Sequence, residues 1–336
     1  MNKFVRRFAA AAAIGSLALL TGCATTADGG AAGDGAGDAA EAKPLRIVHA
    51  AIGYEPLFIA EELGYFEEAG LDVTLTRGGV PQDNIAQAVG GSADIIVSAW
   101  DNITTSSSEG IPIRVLAGNS YVSDEVDTSG IIVMADSGIE SLADLEGKTL
   151  AFDSLGGGGS VEVFTALADA GVSHEDVDLT AIPYAGQASA LEQGHVDAIF
   201  PSDPFYSQII EQPDKVVIAN PVRETRAGMP ITLWAATEPW LQENAETAQA
   251  FIDAMDRAIE FYEDPANLER IKEIRAEVTQ TDISEVSESL PPLRTAIDTE
   301  AGQGAIDQLV QFDMLDESFP VDDMLWTEAP RLEDAQ

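Results

Sequence analysis

The chain of 336 residues has one cysteine, three histidines and few positive charges. One cysteine cannot build a disulfide framework, nor a Cys-rich zinc or iron–sulfur site, each of which needs several thiolates. His49, His174 and His195 lack metal-ligand spacing. Lys and Arg number 17 against 58 Asp and Glu, a formal charge of −41. Such a surface does not displace counterions from nucleic acid, so no nucleic-acid partner is expected. No G-x-S-x-G elbow presents a nucleophilic serine, and no repeat of 20–50 residues marks a solenoid or propeller. Hydrophobic residues make up 45% of the chain, the proportion of an ordinary globular protein. The length exceeds one compact core, which predicts two lobes.

The first 22 residues have the composition of a signal peptide. Lys3, Arg6 and Arg7 precede an Ala-rich apolar stretch from Phe8 to Leu20, too short for a comfortable membrane span. Leu20-Thr21-Gly22-Cys23 follows and resembles the lipobox of bacterial lipoproteins, in which the cysteine becomes the first residue and carries lipid. The expected location is therefore extracytoplasmic, anchored to the cell membrane through Cys23. Cleavage would leave 14 Lys and Arg against 58 acids, a formal charge of −44. Residues 24–43 contain Ala, Gly and acids with no large apolar side chain. They cannot bury enough surface to fold, and as a flexible tether they would span about 25 Å.

From Pro44 onward, short apolar strands alternate with helical segments up to a last strand at Ile231–Ala236, the pattern of βαβ units and a mainly parallel sheet. After residue 238 the pattern is helical. In Glu246–Tyr262, Phe251, Ala254, Met255, Ala258, Ile259 and Tyr262 share one face, and Asp264-Pro265 ends the run.

Four blocks in this region carry a family resemblance. Residues 53–73 (GYEPLFIAEELGYFEEAGLDV), 84–94 (NIAQAVGGSAD), 141–148 (SLADLEGK) and 190–198 (ALEQGHVDA) resemble, in order and spacing, the solute-binding proteins of the nitrate/sulfonate/taurine and thiamine-pyrimidine-precursor family that serve ABC importers. The resemblance covers about residues 44–240. It implies a type II periplasmic-binding-protein fold: two α/β lobes, two crossing segments near 131–137 and 225–235, and ligand held in the cleft between them. Lobe one would comprise 44–133 plus 231–336, and lobe two 134–230. Within the blocks, Gly64 and Gly70 suit helix ends and Phe66 a structural staple, so these residues belong to the core.

Ligand sites in such sheets lie beyond the C-terminal strand edges, against helix N-termini. Tyr54, Arg77, Trp100, Asp101, Asn102, Ser154, Gly157, Gly158, Ser160, Tyr184, Asp203 and Phe205 occupy those positions. The glycine run 156–159 could bring a ligand onto backbone N–H groups at a helix start, or form a plain turn. It lacks the Gly-Lys-Ser/Thr of a P-loop. The aromatic residues could sandwich a flat ring or simply pack. Asp101 and Asp203 could bind ligand or cap helices. Arg77, at a strand end, could meet an anion, whereas Arg114, inside a strand, suits a structural pair.

The resemblance predicts a binding protein, not an enzyme, with no cofactor or metal. Its expected partners are a small solute and the permease and ATPase of an importer, with the chain itself a monomer. The aromatic and acidic candidates in a strongly negative field favour a small heteroaromatic, such as a pyrimidine precursor, over sulfonate or nitrate. The alternatives are a sensor or surface lipoprotein without transport, and a pyrimidine-synthase-like enzyme. Those synthase relatives consume their own histidine and carry a Cys-rich segment that this chain lacks.

Overall fold

The computed structural model describes residues 42–50, 55–125, 127–153, 159–203, 205–286 and 290–335. Tyr54, Ser154, Gly157, Gly158 and Cys23 lie outside the described residues, as do the signal peptide and nearly all of the tether.

The strands are β1 (Lys43–His49), β2 (Leu71–Arg77), β3 (Ile95–Ala99), β4 (Ile113–Tyr121), β5 (Ile131–Met134), β6 (Thr149–Phe152), β7 (Asp178–Ala181), β8 (Ala198–Ile199), β9 (Lys215–Ala219) and β10 (Pro230–Thr237). The helices up to the second crossing are α1 (Glu55–Glu62), α2 (Tyr65–Glu68), α3 (Pro81–Val89), α4 (Trp100–Ser108), α5 (Gly159–Asp169), α6 (Tyr184–Glu192), α7 (Phe205–Ile210) and α8 (Pro221–Arg226). The helical tail is α9 (Glu238–Glu243), α10 (Ala245–Glu263), α11 (Leu268–Thr279) and α12 (Thr299–Gln311).

Two five-stranded sheets result, ordered β2-β1-β3-β10-β4 and β7-β6-β8-β5-β9. In each, the strand that arrives across a crossing runs antiparallel to its neighbours: β10 between β3 and β4, β5 between β8 and β9. β5 belongs to the second sheet, so the first crossing spans about residues 122–130, earlier than the expected 131–137. The second spans about 220–229 and contains α8. The two crossings are joined side by side: Val122 N donates to Met229 O, Gly228 N donates to Val122 O, and Arg223 pairs with Asp127 at 2.6 Å.

The family blocks are structural devices. Gly64, Gly70 and Gly91 adopt φ of 75°, 74° and 72°, the left-handed conformation that ends a helix. Phe66 is buried and stacks on Phe251 of α10 at 6.0 Å, so it staples α2 to the helical tail. The aspartates that close two blocks do the same work in each lobe. Asp94 Oδ2 accepts the Arg46 backbone N–H at 2.8 Å and Asp197 Oδ2 accepts that of Thr149 at 2.9 Å. Each aspartate's own N–H returns to the same strand residue's carbonyl. β1 and β6, each flanked by parallel neighbours, are thus held by equivalent carboxylates, at mid-strand in β1 and at the first residue of β6. Leu45, Ile47, Ile95 and Ile96 are fully buried in lobe one, and Leu150, Ala198 and Ile199 in lobe two. α10 buries the predicted face, including Phe251, Met255 and Ala258. No helix among the described residues is long and apolar enough to cross a membrane.

Candidate functional site

The C-terminal ends of β3 and β6 lead into α4 and α5, and Arg226 of the second crossing bridges a carboxylate on each helix. Asp101 projects from the first turn of α4, Glu162 from α5 and Arg226 from α8 in the second crossing. Arg226 Nη1 lies 3.1 Å from Glu162 Oε1 and 3.4 Å from Asp101 Oδ2. Its Nε donates to Gln308 Oε1 on α12 at 3.0 Å, and Gln308 Nε2 donates to Thr225 O at 3.1 Å. The helical tail therefore fastens the same crossing. Farther along α5, Phe164 stacks on His174 at 4.2 Å, and Phe312, just past α12, packs against both rings.

Burial governs the electrostatics here. Glu162 is pushed up to about 7, chiefly because its carboxylate is desolvated. Arg226 opposes that rise, and the Asp101 carboxylate adds to it. The Tyr184 phenol is pushed up to about 12 by burial, then by Asp153, to which it hydrogen-bonds, and by Glu162. Tyr184 and Phe205, at the starts of α6 and α7, lie 6.3 Å apart with rings tilted by 35°. Ser160 is buried one turn before the Phe164 ring. At the end of β1, His49 is lowered by burial, with Arg77 across the β1–β2 register adding to that lowering. Its ring meets Phe58 edge-on at 5.1 Å.

Among the sequence candidates, Asp101 enters the interlobe cluster, and Tyr184 and Phe205 form a neighbouring aromatic pair. Among the described residues, the side chains of Arg77, Asn102 and Asp203 make no hydrogen bond or ion pair with the cluster. Arg77 is exposed at the end of β2. Asn102 donates to Gln82 at 3.0 Å. Asp203 accepts from the Ser207 backbone N–H at 3.0 Å and from its hydroxyl at 2.6 Å, as a residue closing the start of α7 does. Trp100 is a correction: its side chain is 1% exposed and belongs to the lobe-one core, so it offers no face for a ligand to stack on. Asp101 is also not a helix cap, since the residue at that position of α4 is Ala99. Arg114 makes its structural pair with Glu238 at 2.8 Å. Glu162, Arg226 and Asp153 were missed. The sequence signal for Glu162 is an acid between Val161 and Val163 in a mostly apolar helical run, Val161–Leu167.

Comparison with known proteins agrees with the fold. A putative thiamine biosynthesis protein of Haemophilus influenzae is 30% identical over 152 residues, 45% of this chain and 45% of that protein, so the match spans under half of the relative's length. The 4-amino-5-hydroxymethyl-2-methylpyrimidine phosphate synthase of Aspergillus parasiticus is 25% identical over 229 residues, covering 63% of this chain and 64% of the synthase. The periplasmic aliphatic sulphonate binding protein SsuA of Escherichia coli superimposes with a TM-score of 0.71 at 18% identity, covering 85% of this chain and 98% of SsuA. That likeness establishes the two-lobe periplasmic-binding-protein fold. The model of the family described as NMT1/THI5 like matches residues 52–267, more than half of the sequence, and the chain belongs to that family.

Proposed function

We propose that this is an extracytoplasmic, lipid-anchored solute-binding protein that hands a small organic solute to an ABC importer. The solute is a heteroaromatic such as a pyrimidine precursor rather than a sulfonate or nitrate. The observation that carries the reading is the bridging of α4 from one lobe and α5 from the other by Arg226 at the strand ends, with a joined pair of crossing segments beside it. Two lobes on such a pair can open and close around a solute. The Tyr184–Phe205 pair and the acidic surroundings favour a flat ring with hydrogen-bond donors over an oxyanion. The thiamine-related name of the Haemophilus relative supports that preference, and the sulphonate-binding structure supports the binding role. The synthase relative favours a second reading, an enzyme on the same fold. Against it stands the lone Cys23, because the resemblance ties that chemistry to a Cys-rich segment.

A thermal-shift screen of pyrimidines, alkanesulfonates, nitrate and aromatic carboxylates tests the reading. A pyrimidine at a hundred times its Kd should stabilise the fold by about 2.7 kcal/mol. Stabilisation by a sulfonate alone would reject the ligand preference, and stabilisation by nothing in the screen would reject solute binding. The anchor has its own measurement: metabolic labelling with a fatty-acid probe should mark the wild type and leave Cys23→Ala unmarked. Equal labelling of both would remove the lipid.

A further inference from the structure

The hydrogen bonding of the interlobe cluster is unfinished. Arg226 and Glu162 are 6% and 7% exposed. Yet Arg226 Nη2, Glu162 Oε2 and Asp101 Oδ1 are buried with no hydrogen-bond partner among the described residues. Buried polar atoms left in this way are costly, and native proteins retain few of them. The charges are unbalanced as well. Two carboxylates face one guanidinium, and Tyr184 at the start of α6, which feels both Glu162 and Asp153, brings no positive charge. Gln308, from α12, is neutral. An incoming oxyanion would add negative charge to this excess.

We propose that Asp101, Glu162 and Arg226 form a ligand subsite that is one positive charge short, and that it takes the weakly basic, amino-bearing edge of a neutral heterocycle. The ring's amino group donates to the free carboxylate oxygens, a ring nitrogen shares a proton with Glu162, and Arg226 Nη2 donates to a remaining acceptor of the ligand. This subsite deepens the solute-binding reading above and rests on it.

Sharing one proton between ring and carboxylate makes binding pH-linked. The half-ionisation of Glu162 near neutrality sets the upper limb: above pH 7 both free partners lack the proton, so binding takes one up and affinity falls about tenfold per pH unit.

Isothermal titration calorimetry of the full-length protein with 4-amino-5-hydroxymethyl-2-methylpyrimidine, in Tris and in phosphate at pH 7 and 8, tests the proposal. 2-Aminoethanesulfonate serves as the comparison probe. The wild type should bind the pyrimidine, take up a proton at pH 8 and not bind the sulfonate. Glu162→Gln should lower affinity at least tenfold at pH 7 and lose the buffer-dependent proton uptake. Asp101→Asn should also weaken binding, and it carries the test if Glu162→Gln does not melt cooperatively. Wild-type pyrimidine affinity and proton uptake in a folded Glu162→Gln would overturn the subsite. Binding of the sulfonate and not the pyrimidine would overturn it while leaving solute binding intact. Failure of both probes to bind would remove the subsite, and the broader screen then decides the solute-binding reading separately.

Discussion

Replacing Trp100 with alanine is expected to destabilise the fold by about 3–5 kcal/mol, the usual cost of deleting a large aromatic side chain from a core. Trp100 opens α4 at the end of β3, yet its indole turns inward to the lobe-one core rather than out to the cleft. Gly302 of α12 makes this possible. A Cβ at that position would stand 2.9 Å from two atoms of the Trp100 ring, so only glycine lets helix and ring approach this closely. The indole therefore joins α4 to the helical tail, and Met324, 3.7 Å from the Thr104 hydroxyl one turn along α4, closes the same region. Denaturant unfolding should show a large fall in midpoint with little change in slope. A ligand-stacking tryptophan would behave in the opposite way: truncation would leave unfolding almost unchanged and reduce binding. That result would return Trp100 to the site.

The contrast between Trp100 and the family blocks shows what could be read from the residues alone. Asp94 and Asp197 each act on a strand residue 48 positions earlier, whereas Gly64 and Gly70 act within a few residues, so the glycines' chemistry is local and their spacing reveals it. The order of strands and helices was legible for the same reason: period-two and helical apolar patterns reflect local burial. The first crossing was misjudged because Ile131–Met134 is apolar enough to serve either sheet. Only its pairing with β8 and β9 assigns it to lobe two.

The interlobe cluster was less legible. Glu162 sits in Val161-Glu162-Val163 and Arg226 in Arg223-Glu224-Thr225-Arg226, sequences that read as ordinary helix. Their significance depends on α5, α8, α4 and α12 converging, which no spacing within one segment encodes. Asp101 was selected by its strand-end position, but its partner, more than a hundred residues away, was not. The positions of strand ends locate a cleft without showing which way each side chain turns.

The second large effect is a gain in stability from removing a charge. In the unfolded chain Glu162 titrates near 4.5, whereas in the folded protein it titrates near 7. Between those values the folded state binds more protons than the unfolded state, so stability falls as pH rises through this window and stays lower above it. The difference corresponds to about 3 kcal/mol. Glu162→Gln removes the titration, keeps an acceptor for Arg226 and leaves Asp101 as its charged partner. The variant should match the wild type near pH 4.5 and exceed it by about 2–3 kcal/mol at pH 8. Urea titrations of both proteins at the two pH values give the comparison directly. If Glu162→Gln were less stable at pH 8 with an unchanged pH slope, the Glu162–Arg226 pair would be a net source of stability and the charge imbalance would be absent. The expected gain would mean that the unliganded protein carries an ionised, half-satisfied carboxylate at pH 8, and that a ligand bringing the missing proton and donors removes that cost on binding. A side chain whose neutral replacement stabilises the empty protein and weakens its complex is retained for the complex.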